Sequence, residues 1–481
     1  MLALPPCLIS IDSVVLSVAV PALSAALQPT GTQLLWIIDI YSFILAGVLV
    51  LMGTVGDRIG RRRLLLIGAP VFGLSSVIAA FSTSASMLIA ARVLLGLGGA
   101  TLMPSTLALI RSIFIDAKQR RMAVAIWSAA FAGGAAFGPV MGGLLLEHFW
   151  WGSVFLINAP LMVLFVIGTA YLVPESRDPM PGRFDVLSAL MSIAGILPVV
   201  YALKTLPKEP GVDAVVALVV GGVVLYLFMR RQRRLPDPMI DTSLFRIPTF
   251  SVSLCLNIIT IFTLVGTLFY FPQYLGLVRG FSSLEVGLWL LPLAGISVIS
   301  SLVSPALANK LSVRSIISFG LACLIVGLLG VTLMNQFPGI TVFAVASALV
   351  GLGIGLSQTL ANDLILTTAP ADRAGAASAI SETAYEGGAA MGTAVLGTIG
   401  LSVYASRLGD IPGISPEVAA GARETLGAAH ELARGLPGHL ATQLELAADE
   451  AFLTGITTVA VVAMVACCVG LVLAHRGLKG V

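Results

Sequence analysis

Glu382 and Glu386 stand four residues apart in an otherwise apolar stretch of this chain, and Asp12, Asp39 and Arg92 each interrupt another such stretch. Four-residue spacing puts both glutamates on one face of a helix. Two carboxylates held together in an apolar medium are a candidate site for a proton or an organic cation. A lone carboxylate such as Asp12 costs several kcal/mol there unless it is protonated, paired or facing a water-filled cavity. Proton coupling or substrate attraction is the functional reading of Asp12, and a structural polar partner the plain one. Asp39 lies in WIIDIY, between Trp36 and Tyr41, where it fits either a proton site or a simple interfacial residue. Arg92 cannot shed its proton, so it must find a carboxylate, carbonyl groups or water. Tyr385 adjoins Glu386, and Phe262, Phe269 and Tyr270 cluster with Asn257 on one apolar run. Ring surface near a carboxylate suits a large, weakly hydrated cation, although most such rings merely pack.

Two further patterns concern movement. GTVGDRIGRRR, residues 53–63, sets Gly53, Gly56 and Gly60 around Asp57 and Arg58 and adds Arg61, Arg62 and Arg63. Arginines beside anionic lipid explain themselves; the glycines and the acid call for a tight turn with its own contacts. PALANKLSVR, 305–314, echoes the loop 252 residues later, which marks a degraded internal repeat. Ala130, Gly134, Gly138 and Gly142 recur every four residues beside Pro139, a small-residue stripe that lets helices approach closely in lipid.

These residues need a frame that only a bilayer permits. Hydrophobic residues make up 57% of the chain and charged residues 11%, with a mean hydropathy of +1.00, too apolar for a water-soluble globule. Spans of about 20 residues are read at 2–24, 34–54, 64–82, 86–110, 122–146, 153–173, 185–205, 213–230, 248–276, 283–307, 315–334, 339–367, 375–404 and 451–475. The runs are long and continuous, which selects an all-α integral membrane protein with 14 transmembrane helices over a barrel of alternating strands. Twenty of the 27 Lys and Arg fall on one side of that layout, so both termini are expected in the cytoplasm. The net charge of +3 is then a topological signal and implies no nucleic-acid partner. Met1 stands eleven residues before Asp12, so the first span starts flush with the membrane or the true start lies upstream; no cleavable leader is evident. The five cysteines sit in apolar runs and the four histidines are scattered, so neither a metal nor a cofactor is expected. No Gly-Lys dipeptide exists to build a phosphate-binding loop, and no catalytic constellation is present, so the chain is not expected to be an enzyme.

The 53–63 loop resembles the signature loop of the major facilitator superfamily. Arg92-Val-Leu-Leu-Gly96 is similar to its fourth-helix motif, and Gly134-Ala-Ala-Phe-Gly138-Pro139-Val-Met-Gly142-Gly143 to its antiporter motif. LLWIIDIYSFILAG (34–47), LLEHFWWGSVFLINAP (145–160) and SETAYEGGAAMGTAVLG narrow the likeness to fourteen-helix drug:proton antiporters, within them the SmvA-type methyl viologen and quaternary-ammonium efflux pumps. The resemblance spans essentially the whole chain. It implies two six-helix bundles, 1–173 and 248–481, joined by two linker helices in 174–247. It further implies proton transfer at Asp12, Arg92 and Glu386, with Asp39 as a further candidate. Binding of small organic cations would fall to Glu386, Asp12, Glu382, Tyr385, Trp36, Phe262, Phe269, Tyr270 and Asn257. Asp57 and Arg58 would exchange contacts as a latch, helped by Gly53, Gly60, Arg61 and Arg62, while the Gly134–Gly142 stripe closes the cavity against leakage. A monomer in the bacterial inner membrane is expected, with lipid as its surroundings. Where the family often carries glutamine before Gly96, this chain has Leu95, so no polar network is expected on that position. The rival readings are an uptake symporter and a non-transporting sensor or scaffold. The segment from about 405 to 450 is expected to be a solvated external connector with helical periodicity.

Overall fold

Local chemistry sets where the helices start and stop. The computed structural model describes residues 1–177, 185–206, 211–235, 242, 244–334, 336, 339–369 and 374–479; the side chain of Asp57 also lies outside the described residues. Helix α1 (Leu4–Leu27) opens with Pro5 and Pro6 in its first turn, where a missing N–H is no loss. Helix α2 (Gly31–Ile59) opens on a capping box in which Thr30 and Gln33 exchange side chain-to-backbone hydrogen bonds. Gly60, at φ +108°, ends it, and α3 (Arg61–Ala80) starts at the next residue. That backbone is one only glycine adopts freely. Then come α4 (Ala85–Ile113), α5 (Ala117–His148), α6 (Ser153–Leu156) and α7 (Asn158–Leu172), followed by the hairpin α8 (Val186–Thr205) and α9 (Val212–Gln232). The remainder is α10 (Pro248–Gln273), α11 (Ser283–Ala308), α12 (Val313–Leu333), α13 (Ile340–Thr368), α14 (Ala374–Met391), α15 (Thr398–Arg407), α16 (Pro416–Ala422), α17 (Leu426–Ala433) and α18 (Gly438–Gly477). No strand occurs among the described residues.

Twelve helical stretches among the described residues are long and apolar enough to cross a membrane. The expectation of fourteen is therefore not reproduced as a count, while the all-helical architecture is. The two stretches outside the twelve still fold as α5 and α8. The uninterrupted apolar part of α8 is only Leu190–Ala202.

Helix α1 packs on α5, and α4 packs on both α2 and α3; in the second half α13 packs on α11 and α12. Between the halves the pairing is reciprocal. Helix α5, fifth from α1, lies along α11, second from α10; α2, second from α1, lies along α14. The glycine stripe explains the first of these seams. A Cβ on Gly134 would stand 2.4 Å from the Cys7 carbonyl oxygen, and one on Gly142 would stand 2.5 Å from Val15 Cγ2, so the stripe seats α5 on α1. Gly143 and Pro139 face the other half: a Cβ on Gly143 would meet the Ser283 carbonyl oxygen at 2.4 Å, and one on Gly287 the Pro139 carbonyl oxygen at 2.6 Å.

The segment after α15 is not a solvated connector. Helices α16 and α17 bury Ala422, Leu426, Ala429 and Ala433, the Tyr404 hydroxyl donates to the Ala422 carbonyl at 2.7 Å, and α17 rests on α1. The Glu424 carboxylate accepts from Gly31 N–H at 2.9 Å, across 393 residues. Its periodic small and apolar residues make one covered face, which a charge count conceals.

Gly143→Val should lower the thermal unfolding midpoint of the detergent-purified protein by the equivalent of about 1–3 kcal/mol, because the backbone at Ser283 cannot give way as a side chain would. Gly133→Ala, whose Cβ would meet nothing within 4 Å, should leave the midpoint unchanged or raise it slightly.

Candidate functional site

Arg92 is the largest side chain among the fully buried residues described, at 1% exposure, and Asp12 is at 0%. Helix α4 comes close enough to α2 to place the arginine because it is notched with glycine: a Cβ on Gly96 would stand 2.9 Å from the Tyr41 carbonyl oxygen, and one on Gly99 would stand 3.2 Å from the Tyr41 hydroxyl. Three of the guanidinium nitrogens are then engaged. Nη1 donates to Asp12 Oδ2 at 2.5 Å, Nε to the Ile37 carbonyl at 3.0 Å and Nη2 to the Ile38 carbonyl at 3.3 Å. The guanidinium also lies 4.5 Å from the centroid of the Tyr41 ring. The other Asp12 oxygen accepts from Asn158 Nδ2 at 3.2 Å, and the same amide reaches Ser76 Oγ at 3.3 Å. Five helices, α1, α2, α3, α4 and α7, thus converge on one ion pair.

Such a pair is a constraint more than a source of stability. Desolvating both charges offsets much of their attraction, whereas removing one partner leaves a buried charge unanswered. Asp39 is buried at the residue after Ile38. Trp36, one turn before Ile40, packs with Ile196 and Leu197 of α8, away from the pair.

The second acidic position lies across α2. Glu386 on α14 is 6% exposed and lies toward Ser42, the residue after Tyr41. Glu382 is one turn earlier on the same helix, and about 100° round it from Glu386 a Cβ on Gly387 would meet nothing within 4 Å. From Tyr385 a run of rings crosses to the first half: Phe131 meets Tyr385 edge-on at 6.3 Å, and Trp127 stacks on Phe131 at 6.4 Å. The Trp127 indole is fixed by donating to Thr106 Oγ1 at 3.1 Å. Trp127 and Phe131 were not singled out in the sequence, where their signal, two rings four residues apart, each three residues before a member of the small-residue stripe, looks like ordinary packing.

The rings that were singled out on α10 lie elsewhere. Tyr270 is buried, and its hydroxyl donates toward the carbonyls of Leu396 at 3.1 Å and Gly397 at 2.9 Å. Those carbonyls belong to a π-helical turn, Gly392–Gly397, between α14 and α15; a widened turn frees backbone acceptors, and Tyr270 answers them. Phe269 packs edge-on to Tyr270 at 4.7 Å. Phe262 meets the α14 side through its backbone, against Gly392, and Asn257 is buried on α10.

At the Gly60 end, the partner of the arginine loop is Glu175, just beyond α7. Its two oxygens accept from the Arg62 and Arg63 backbone N–H groups at 3.1 and 3.3 Å, Ser176 O accepts from Arg61 N–H at 3.0 Å, and the Arg62 side chain reaches the Ala170 carbonyl. A carboxylate at a helix N-terminus satisfies groups the helix itself leaves open. A Cβ on Gly60 would stand 2.6 Å from that carboxylate, so glycine is required twice over, by space and by φ. Gly53 has only ordinary contact with Pro104, and Arg58 is exposed. Among the described residues no group of His, Cys, Asp and Glu could hold a metal ion.

Asp12→Asn and Arg92→Met should each destabilise the purified protein by about 3–5 kcal/mol, since each leaves one member of a buried pair uncompensated. The double variant should recover more than half of that loss in thermal unfolding; simple addition of the two losses would mean the charges do not depend on each other.

Comparison with known proteins agrees with this architecture. The chain is 46% identical over 482 residues to the multidrug efflux pump LfrA of Mycolicibacterium smegmatis, covering 100% of this chain and 94% of that protein. It is 38% identical over 447 residues to the methyl viologen resistance protein SmvA of Salmonella typhimurium, covering 92% and 90%. Among solved structures, a bacterial homolog of the human lysosomal transporter Spinster superimposes with a TM-score of 0.67 at 18% identity, covering 99% of this chain and 96% of that one, which is a likeness of fold. Residues 6–393 match the family's sequence profile, and the chain therefore belongs to the Major Facilitator Superfamily, as a multi-pass membrane transporter without enzymatic chemistry.

Proposed function

We propose that this protein is a proton-coupled multidrug efflux antiporter of the bacterial inner membrane, exporting cationic amphiphiles such as quaternary ammonium biocides, methyl viologen and dyes in exchange for protons. One observation carries the reading: a desolvated Asp12–Arg92 pair on one side of α2 and the Glu386 carboxylate on the other, at adjacent residues Tyr41 and Ser42. The names of relatives, a multidrug efflux pump and a methyl viologen resistance protein, support it.

In this reading the chain crosses the membrane fourteen times, with α5 and α8 among the spans and both termini in the cytoplasm. Two halves, 1–173 and 248–481, rock as a monomer about the reciprocal α2–α14 and α5–α11 seams, and 174–247 links them. The cation is held by Glu386 and Glu382 beside Tyr385, Phe131 and Trp127, where ring faces and burial favour a weakly hydrated charge. Protons from outside replace it at Glu386 and Asp12, with Asp39 as a further site, drawn by about 2.3 kcal/mol per charge for each 100 mV of membrane potential. Asp57 and Arg58, held in register by Gly60, Arg61 and Arg62, latch one end of the cavity. The Gly134–Gly142 stripe with Pro139 keeps α5 seated so that the seam seals.

Proteoliposomes loaded with a fluorescent cationic dye test this. An imposed pH gradient should drive dye against protons, and Asp12→Asn or Glu386→Gln should each cut the exchange at least about 100-fold, as for loss of an essential proton carrier. Dye moving in the same direction as protons, or exchange indifferent to both substitutions, would overturn the proposal. Phe131→Ala should weaken apparent dye affinity about tenfold, the upper range of one cation–π contact, whereas Phe269→Ala should change thermal stability and leave affinity within about twofold.

A further inference from the structure

The buried pair poses a problem for any cycle in which Asp12 takes up a proton. Arg92 stays charged throughout, and Asp12 is the anion among the partners described above. Once Asp12 is neutral its oxygen can still accept, but its negative charge is gone, and a guanidinium at 1% exposure leans more on what α2 offers. That is two backbone carbonyls, from Ile37 and Ile38, and the face of the Tyr41 ring at 4.5 Å; Phe155 stands farther off, at 6.0 Å. The carbonyls already serve the helix. The ring face is a side-chain surface that attracts a cation, and it does so most strongly away from water. Nor is the hydroxyl end of Tyr41 committed to a hydrogen bond that would set the ring for another purpose: it lies toward Ser13 without closing one and fits into the space that Gly99 leaves.

We propose that Tyr41 is a positioning residue that holds Arg92 in place while Asp12 carries the proton, so that the guanidinium neither follows Asp12 nor swings into the cavity. This rests on the antiporter reading given above. Because Ser42, the next residue, meets Glu386, the turn of α2 that steadies Arg92 also borders the second carboxylate. The charged and titratable groups facing this turn are Asp12 from α1, Arg92 from α4 and Glu386 from α14, with Asp39 on α2 itself; Asn158 and Ser76, from α7 and α3, stay neutral.

Tyr41→Phe keeps the ring and Tyr41→Leu removes it, and two readouts on the full-length purified protein separate the ideas. In proteoliposomes, Tyr41→Phe should exchange dye for protons at the wild-type rate within about twofold, and Tyr41→Leu should fall about tenfold, with its pH optimum displaced from that of the wild type. In detergent, with no transport required, the gap in unfolding midpoint between Tyr41→Leu and Tyr41→Phe should be wider in an Asp12→Asn background, where that position is neutral throughout, than with Asp12 in place. A gap that is the same in both backgrounds means the ring only fills space, and equal loss of exchange in both variants means the hydroxyl matters instead; either overturns the proposal. If wild-type dye movement is not coupled to protons, the antiporter reading fails on the first readout, while the gap with and without Asp12→Asn still decides what Tyr41 does for Arg92.

Discussion

A guanidinium cannot give up its charge, and Arg92 sits where water does not reach it. Much of the first half follows from that. Its counter-ion must come from another helix, which fixes α1 against α4 through Asp12. Its remaining N–H groups need acceptors, which brings α4 within carbonyl distance of α2 and excludes any side chain at Gly96. Asp12 in turn needs a second donor, which draws in Asn158 from α7 and, through the same amide, Ser76 from α3. Replacing such a pair with apolar residues can cost little, whereas breaking it costs much; its persistence in so apolar a chain therefore points to use.

Helix α2 belongs to two environments at once. One face takes part in the arginine network, and the adjoining position meets Glu386 on the second half. A rigid helix cannot turn toward one without turning from the other. The α5–α11 seam is built differently, from glycine and backbone, with Gly143 over Ser283 and Gly287 over Pro139. Contacts of that kind are close and carry no charge, so they separate without leaving an ion behind. The halves thus meet along one polar line and one smooth one.

The acids and the arginine were legible because an ionisable group in an apolar run is expensive wherever it occurs, and cost alone marks it. Their pairing was not, since Asp12 and Arg92 are 80 residues apart and meet only through how α1 and α4 pack. Rings behave in the opposite way. They are common in apolar runs, so Phe269 and Tyr270 drew notice beside Asn257, while the rings that reach Tyr385, next to Glu386, are Phe131 and, stacked on it, Trp127. Helix existence followed from hydropathy, but the start of α18 did not: its first turns, from Gly438, lie outside the apolar run, yet they bury Leu444 and Ala448 and pair Asp449 with His430 of α17. The glycines of the 53–63 loop were read correctly as a tight turn, yet nothing near them named Glu175, which arrives from a part of the chain that looks like an ordinary linker. Asp57, expected to be central there, has its side chain outside the described residues.

That clasp has a consequence for biogenesis. Glu175 follows Arg62 by 113 residues. During synthesis the arginines fix the orientation of the first hairpin as soon as they emerge, but the leading N–H groups of α3 stay without their carboxylate until α7 has been made and inserted. The loop is therefore oriented early and fastened late. A ribosome that has completed the clasp has delivered every helix of the first half, and α3 can settle only in a chain whose later helices have entered the bilayer in the right order and direction.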